Sequence, residues 1–177
     1  MRVPWLPTAL NYDCGPACLA MVLNYHGRES SVDDIRERLG TSRDGTTGYE
    51  LVRVARELGM EARGVKAQDL VALKNVPLPA IAHYTQGHFV VLERVRPARS
   101  VRVVDPMRGR LDLPLEEFRA IFSGVLVLFQ KTSAFEKRRD RSWVRFLRDA
   151  LKERVGLVAW MCALSLLLQG IAFALPA

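Results

Sequence analysis

The sequence predicts an α+β fold, with N-terminal helices, a C-terminal antiparallel sheet and a transmembrane helix after it. Three observations lead there. Apolar residues recur at helical spacing up to about residue 58 and alternate in short runs beyond it, so the period changes from about 3.6 to 2. No internal repeat or low-complexity tract interrupts this order. From Val155 to Ala177 the chain reads VGLVAWMCALSLLLQGIAFALPA, without a charged side chain. Its 177 residues, 49% of them hydrophobic, suffice for one globular domain with a core of its own and something smaller besides.

The elements follow in chain order. Pro16 suits a first helical turn, and Ala17–Tyr25 is apolar on almost every face, which predicts a buried helix over about 15–26 closed by Gly27. Ser31-Val32-Asp33-Asp34 reads as a cap and acidic first turn for a short helix ending near Leu39. A polar loop, 40–48, precedes a helix from about Tyr49 to Leu58 with Leu51, Val54, Ala55 and Leu58 on one face. Strands are expected near 60–65, 78–83, 88–95, 101–105 and 124–130, with short helices at 67–73 and 114–121.

The domain organisation is a globular domain at 1–131, a basic amphipathic linker at 132–154 and a membrane span at 155–177. As a helix rising about 1.5 Å per residue, the last segment reaches across a hydrocarbon core of about 30 Å. A buried core helix would show a polar stripe, and Gln169 alone is none. The linker carries Lys137, Arg138, Arg139, Arg141, Arg145, Arg148, Lys152 and Arg154, interleaved with Phe135, Trp143, Phe146, Leu147 and Leu151. It suits an interfacial helix, although a plain solvated linker accounts for the same charges. Basic residues beside a span mark its cytoplasmic side, so most of the net charge of +7 needs no nucleic acid, and no aromatic and basic stacking pattern accompanies it. Residues 1–10 contain two prolines and no apolar run of signal-peptide length, so the globular part is expected in the cytosol.

Cys14 lies in Asp13-Cys14-Gly15-Pro16-Ala17-Cys18-Leu19, where the first helix begins. A thiol there meets the positive end of the backbone dipole and unpaired N–H groups, surroundings that favour a thiolate nucleophile. Cys18 reads as a small buried hydrophobe and Cys162 as membrane packing. A zinc site would need two further ligands at suitable spacing, and none is evident, so no metal is expected.

A thiolate hydrolase needs a base that returns a proton to the leaving group and a third group that orients the base. Of the three histidines, His26 ends a helix and His83 sits in a strand with no acidic neighbour, which makes both structural. His88 opens the strand His88–Val95, and a two-residue turn at Arg96-Pro97 would set Leu92 opposite Val101, Val90 opposite Val103 and His88 opposite Asp105. Val90, Leu92, Val101 and Val103 would then share a face. Cys14, His88 and Asp105 thus form, in that order, a papain-like arrangement. An oxyanion would be met by the Cys14 backbone N–H, with Asn11 or Thr8 as the second donor.

These residues resemble the bacteriocin-processing cysteine peptidase domain found at the N-terminus of peptidase-containing ABC transporters, which removes double-glycine leader peptides. The resemblance rests on Val3-Pro4 followed by DCGPACLAMVLNYHGR, then GTSRDGTTGYELVRVARELGMEARG, GHFVVLERV and VRVVDPMRGRLDLPLEEF, with Phe122-Ser123-Gly124 after it, and spans about residues 2–131. It implies a papain-like fold with Cys14 as nucleophile, His88 as general base and acid and Asp105 orienting the imidazole. The implied substrate is a precursor whose leader docks as an amphipathic helix while its Gly-Gly end threads a narrow cleft. The implied partners are the membrane and the membrane and nucleotide-binding domains of an ABC transporter, at the bacterial inner membrane with the peptidase in the cytosol.

Two departures matter. Thr8 stands six residues before the nucleophile, where that family usually has a glutamine for the oxyanion hole, so a substrate-docking module with weak or no catalysis is the alternative. No G-x-x-x-x-G-K-[ST] phosphate loop occurs, so ATP enters only through a nucleotide-binding domain absent from this sequence, which reads as a fragment of a truncated transporter, with a tail-anchored peptidase as the alternative.

Overall fold

The structure, a computed structural model, describes residues 2–40, 45–67, 73, 76–96, 99–138 and, near the C-terminus, 160, 161, 163–166 and 169. The chain divides into two compact units, Met1–Arg139 and Asp140–Ala177. In the first, a short 3-10 turn, Asn11–Asp13, runs into α1 (Cys14–Tyr25). Two amphipathic helices follow, α2 (Val32–Leu39) and α3 (Gly48–Glu57). The strands are β1 (Met60–Lys66), β2 (Ala80–Tyr84), β3 (Phe89–Arg96), β4 (Ser100–Asp105), β5 (Gly109–Pro114) and β6 (Phe122–Lys131), with α4 (Leu115–Ile121) between the last two.

Each helix starts and stops for a local reason. Every residue of α1 from Cys14 to Leu23 is buried, as a helix without a polar stripe must be. The Ser31 hydroxyl accepts from the Asp34 N–H at 3.1 Å, and Gly40 closes α2 in the left-handed region at φ 66°. At α3 the Thr47 hydroxyl accepts from the Glu50 N–H at 3.3 Å while the Glu50 carboxylate accepts from the Thr47 N–H at 2.6 Å. This reciprocal cap sets the start of the helix at Gly48.

The strands form one antiparallel sheet in the order β1-β6-β2-β3-β4-β5. Its central strands are buried on both faces. Phe89, Val91, Val104, Val127 and Phe129 pack against α1, α2 and α3. Val90, Leu92, Val101, Val103, Leu126 and Leu128 pack in a second cluster around Phe118 of α4. Two-sided burial explains the unbroken apolar run Phe89-Val90-Val91-Leu92.

The architecture is the α+β arrangement with an antiparallel sheet that the change of period predicts, with two differences. β5 is a sixth strand that the sequence reading lacks. Leu111 and Leu113 turn inward while Arg110 and Asp112 face water, and an edge strand this short and half charged resembles a polar loop. The hairpin register also differs. Arg96 pairs with Ser100 rather than closing a two-residue turn, and a bulge falls between Leu92 and Arg94. Leu92 therefore faces Val103 and Val91 faces Val104, a shift of two residues from the predicted pairing. An even shift preserves the pleat, so Val90, Leu92, Val101 and Val103 still share a cluster.

After β6 the chain folds back on the helices. The Thr132 hydroxyl donates to the Gly59 carbonyl at 2.6 Å, Phe135 packs on the helical core, and the Arg138 carbonyl accepts from the Glu29 N–H at 2.7 Å. Most of the expected helix at 67–73, most of the basic linker and most of the span at 155–177, Cys162 included, lie outside the described residues. Among the described residues no helix is long and apolar enough to cross a membrane.

Candidate active site

Three segments meet at one end of the sheet: the start of α1, the turn into β3 and the end of β4. Cys14 is the first residue of α1, 5% exposed. Asp13 stands at the helix N-cap but caps nothing; its carboxylate, 1% exposed, accepts from Arg36 Nε at 2.7 Å and Nη2 at 2.6 Å. Arg36 of α2 thereby clamps the turn that delivers the thiol, and leaves the first N–H groups of α1 without a capping side chain from that position.

His88 is held by its backbone. Gly87, at φ 80°, makes the turn from β2, with the Gly87 N–H donating to the Tyr84 carbonyl at 3.0 Å and the Tyr84 N–H to the His88 carbonyl at 2.8 Å. Its Nε2 lies 3.1 Å from Asp105 Oδ1. With the register shifted by two, Asp105 is a diagonal neighbour of His88 and not its cross-strand partner, and the diagonal reach of about 7–8 Å between backbones suits an imidazole and a carboxylate.

Asp105 ends β4 and is 5% exposed. Its Oδ1 also accepts from the Met107 N–H at 2.8 Å and the Arg108 N–H at 3.3 Å, and its backbone carbonyl accepts from Trp5 Nε1 at 3.1 Å. Burial pushes this carboxyl upward, but the hydrogen bonds from His88, Met107 and Arg108 outweigh it and hold the group below its ordinary value. His88 moves the other way. Hydrogen bonds to Asp105 and to Cys14, opposed by partial burial, push the imidazole up to about 9. The structure thus brings all three sequence-predicted residues into contact, with a charged imidazole favoured between sulfur and carboxylate.

The two oxyanion candidates fare differently. Thr8 reaches the neighbourhood, since its N–H donates to the Pro106 carbonyl at 3.1 Å. Its hydroxyl is drawn into the turn, accepting from the Leu10 N–H at 3.2 Å and lying 3.5 Å from the Leu10 carbonyl and from Asp13 Oδ2. Asn11 opens the 3-10 turn, and its side chain is outside the described structure. Cys18 is fully buried, and burial, with Cys14 and Asp105 nearby, pushes its thiol well up, so it behaves as a hydrophobe. His83 hydrogen-bonds Ser123 at 2.9 Å and is lowered by burial and by His88, while His26 packs on Tyr25 and Phe135 and is lowered by burial. Among the described residues no cluster of ligands could hold a metal ion.

Sequence reasoning missed Trp5, Arg36 and Thr46, whose Cβ would lie 2.9 Å from a Cβ added at Gly15. Their only signal was proximity to motif residues, because each acts across a turn or between elements. It also missed a cleft of about 530 Å³ beside the imidazole, lined by Tyr84, Gln86, Gly87, His88, Asp105, Met107, Arg108, Glu117 and Ile121.

Residues 2–134 match the model of the Peptidase C39 family. The chain is similar to the lactococcin-G-processing and transport ATP-binding protein LagD of Lactococcus lactis subsp. lactis, 36% identical over 127 residues that make up 69% of this chain and 18% of that protein. It is also similar to the probable microcin-H47 secretion/processing ATP-binding protein MchF of Escherichia coli, 31% identical over 179 residues, 99% of this chain and 25% of that protein. The chain therefore spans no more than a quarter of the length of these relatives. Among solved structures, a double glycine motif protease from an AMS/PCAT transporter in complex with the leader peptide superposes with a TM-score of 0.69 at 32% identity, over 74% of this chain and 94% of that one. The peptidase domain of Streptococcus ComA, a bi-functional ABC transporter involved in a quorum sensing pathway, superposes with a TM-score of 0.68 at 25% identity, over 73% and 99%.

Proposed function

This chain belongs to the peptidase C39 family, and we propose that it is a papain-like cysteine endopeptidase that removes double-glycine leader peptides from bacteriocin-like precursors, with Cys14, His88 and Asp105 as its catalytic residues. The observation that carries the reading is the convergence of Cys14 at the start of α1 with His88, whose Nε2 lies 3.1 Å from Asp105 Oδ1, an arrangement in which hydrogen bonds to Asp105 and Cys14 push the imidazole up to about 9. A charged imidazole beside sulfur is the resting state such a peptidase needs, because the thiolate is the nucleophile and the ring already holds the proton for the leaving amine.

In this mechanism Nε2 of His88 is taken by Asp105, so Nδ1 serves sulfur. Sulfur attacks the carbonyl carbon of the second glycine, and the oxyanion is met by the Cys14 backbone N–H and one further donor. His88 passes its proton to the amine as the C–N bond breaks, which leaves a thioester on Cys14. Water, deprotonated by His88, then hydrolyses the thioester and restores the thiolate. Asp105 keeps the ring oriented and its charge compensated. Neither a metal nor an organic cofactor takes part.

The inferred setting is export. The peptidase faces the cytosol at the bacterial inner membrane, tethered through the basic segment and the apolar span at 155–177, and works beside the membrane and ATP-binding domains of an ABC transporter. The relatives that are both processing and transport ATP-binding proteins support this. The test is release of the leader from a precursor with a Gly-Gly junction by the wild-type chain and by Cys14→Ala. Release only by the wild type is expected, and equal rates would reject the assignment. Loss of release from both, with binding of the leader retained, favours the docking module, the reading that the engaged Thr8 hydroxyl supports.

A further inference from the structure

We propose that the cleft beside His88 is the subsite for the residues that follow the scissile bond, and that it selects a bulky first side chain on the peptide that leaves. The inference rests on Cys14 and His88 being the reacting groups.

Position makes the assignment. The cleft is lined by His88 and Asp105, by the turn that precedes β3, by Met107 and Arg108 after β4, and by Glu117 and Ile121 of α4. Among the described residues none of α1 or of the turn before it lines the cleft. It therefore flanks the imidazole on the side away from the helix that carries the thiol. The group that protonates the leaving amine must lie within hydrogen-bond reach of it. The acyl half of the substrate stays on sulfur, so the half that begins with the amine extends outward from the imidazole, into this cleft.

Size and lining then limit the occupant. A volume of about 530 Å³ is in the range of sites that enclose small ligands, and far exceeds what glycine needs. Tyr84, Met107 and Ile121 supply apolar walls, and Met107 remains 45% exposed, open to cover by a substrate side chain. Arg108 and Glu117 bring opposite charges to the lining, as His88 and Asp105 do, so the cleft has no net preference between acidic and basic side chains and discriminates by bulk.

Transfer of the acyl group to added amines isolates this subsite. The intact chain is acylated with a leader peptide ending in a Gly-Gly methyl ester, and Phe-Ala amide or Gly-Ala amide is added. The free amine attacks the thioester carbonyl carbon, a new C–N bond forms, the C–S bond breaks with its electron pair on sulfur, and the amine proton passes to His88. Mass spectrometry gives the ratio of transfer product to hydrolysis product, which is independent of the acylation rate. At equal amine concentration the ratio is expected to favour Phe-Ala amide by about tenfold or more. Met107→Trp and Ile121→Trp, on different elements, each fill the cleft and should bring that preference toward one. Hydrolysis without transfer, equal transfer to both amines, or a preference untouched in both variants overturns the subsite alone. Absence of both hydrolysis and transfer overturns the peptidase reading and the subsite with it.

Discussion

Nε2 of His88 and Oδ1 of Asp105 lie 3.1 Å apart although their strands are paired two residues away from a register that would set them face to face. The bond survives because an even shift leaves both residues on the same side of the pleat. It is also reinforced from the far side, by the two N–H groups of the turn at Met107 and Arg108 that fix the carboxylate.

That geometry orders the losses expected from substitution. Cys14→Ala and His88→Ala should abolish leader release, since each removes a group that reacts in the proposed mechanism. Asp105→Ala, which in that mechanism removes only orientation and charge compensation, should retain about 10- to 100-fold more turnover than His88→Ala. Single-turnover rates on one precursor check the order, and an Asp105 variant as inert as Cys14→Ala contradicts it.

His88 makes stability depend on pH in a defined window. Its ordinary value is 6.5 and the folded value about 9, so between those limits the folded state binds more protons than the unfolded one. Stability contributed by this group is complete below pH 6.5 and is lost as pH rises through about 9. Asp105, held below 3.8, acts oppositely, and its contribution disappears as pH falls through the acid range. Urea midpoints from pH 6 to 10 should decline in the wild type and flatten in His88→Asn.

The Thr8 hydroxyl is engaged by the turn at Leu10 and Asp13, which would make it a weak second oxyanion donor in the proposed mechanism. Thr8→Gln should raise turnover by about tenfold or more, with a full oxyanion donor worth about 10²–10³. No gain would mean that another group already fills the role.

Arg36 is the sole cation described on the buried Asp13 carboxylate, with both side-chain oxygens bonded. Arg36→Met leaves that charge uncompensated and should cost about 3 kcal/mol of stability, near the lower bound for a broken buried pair because Arg36 itself is 32% exposed. Chemical denaturation measures it, and Arg36→Lys should recover only part, since a lysine cannot reproduce the two-pronged contact.

Much of this is legible along the chain. Ser31, Gly27 and Gly40 mark helix ends by local chemistry, and the apolar run before Tyr25 announces a buried helix. The shared face of Val90, Leu92, Val101 and Val103 follows from period 2 alone. β5 is not legible, because Arg110 and Asp112 gain strand character only from pairing with β4, where Asp112 meets Arg102. The bulge after Leu92 is not legible either, as one unpaired residue changes the partners of every position beyond it without leaving a local sequence mark.

By itself, the amino-acid order determined which side chains are available and what each segment prefers: a thiol where a helix starts, a histidine before a strand, an aspartate before a proline, helices first and sheet after. Such preferences are set by a few neighbouring residues. Tertiary structure alone decided that Asp105 would be approached diagonally, that Arg36 would grip Asp13 and that a cleft would open beside His88, because these depend on pairing and packing between residues remote in the chain.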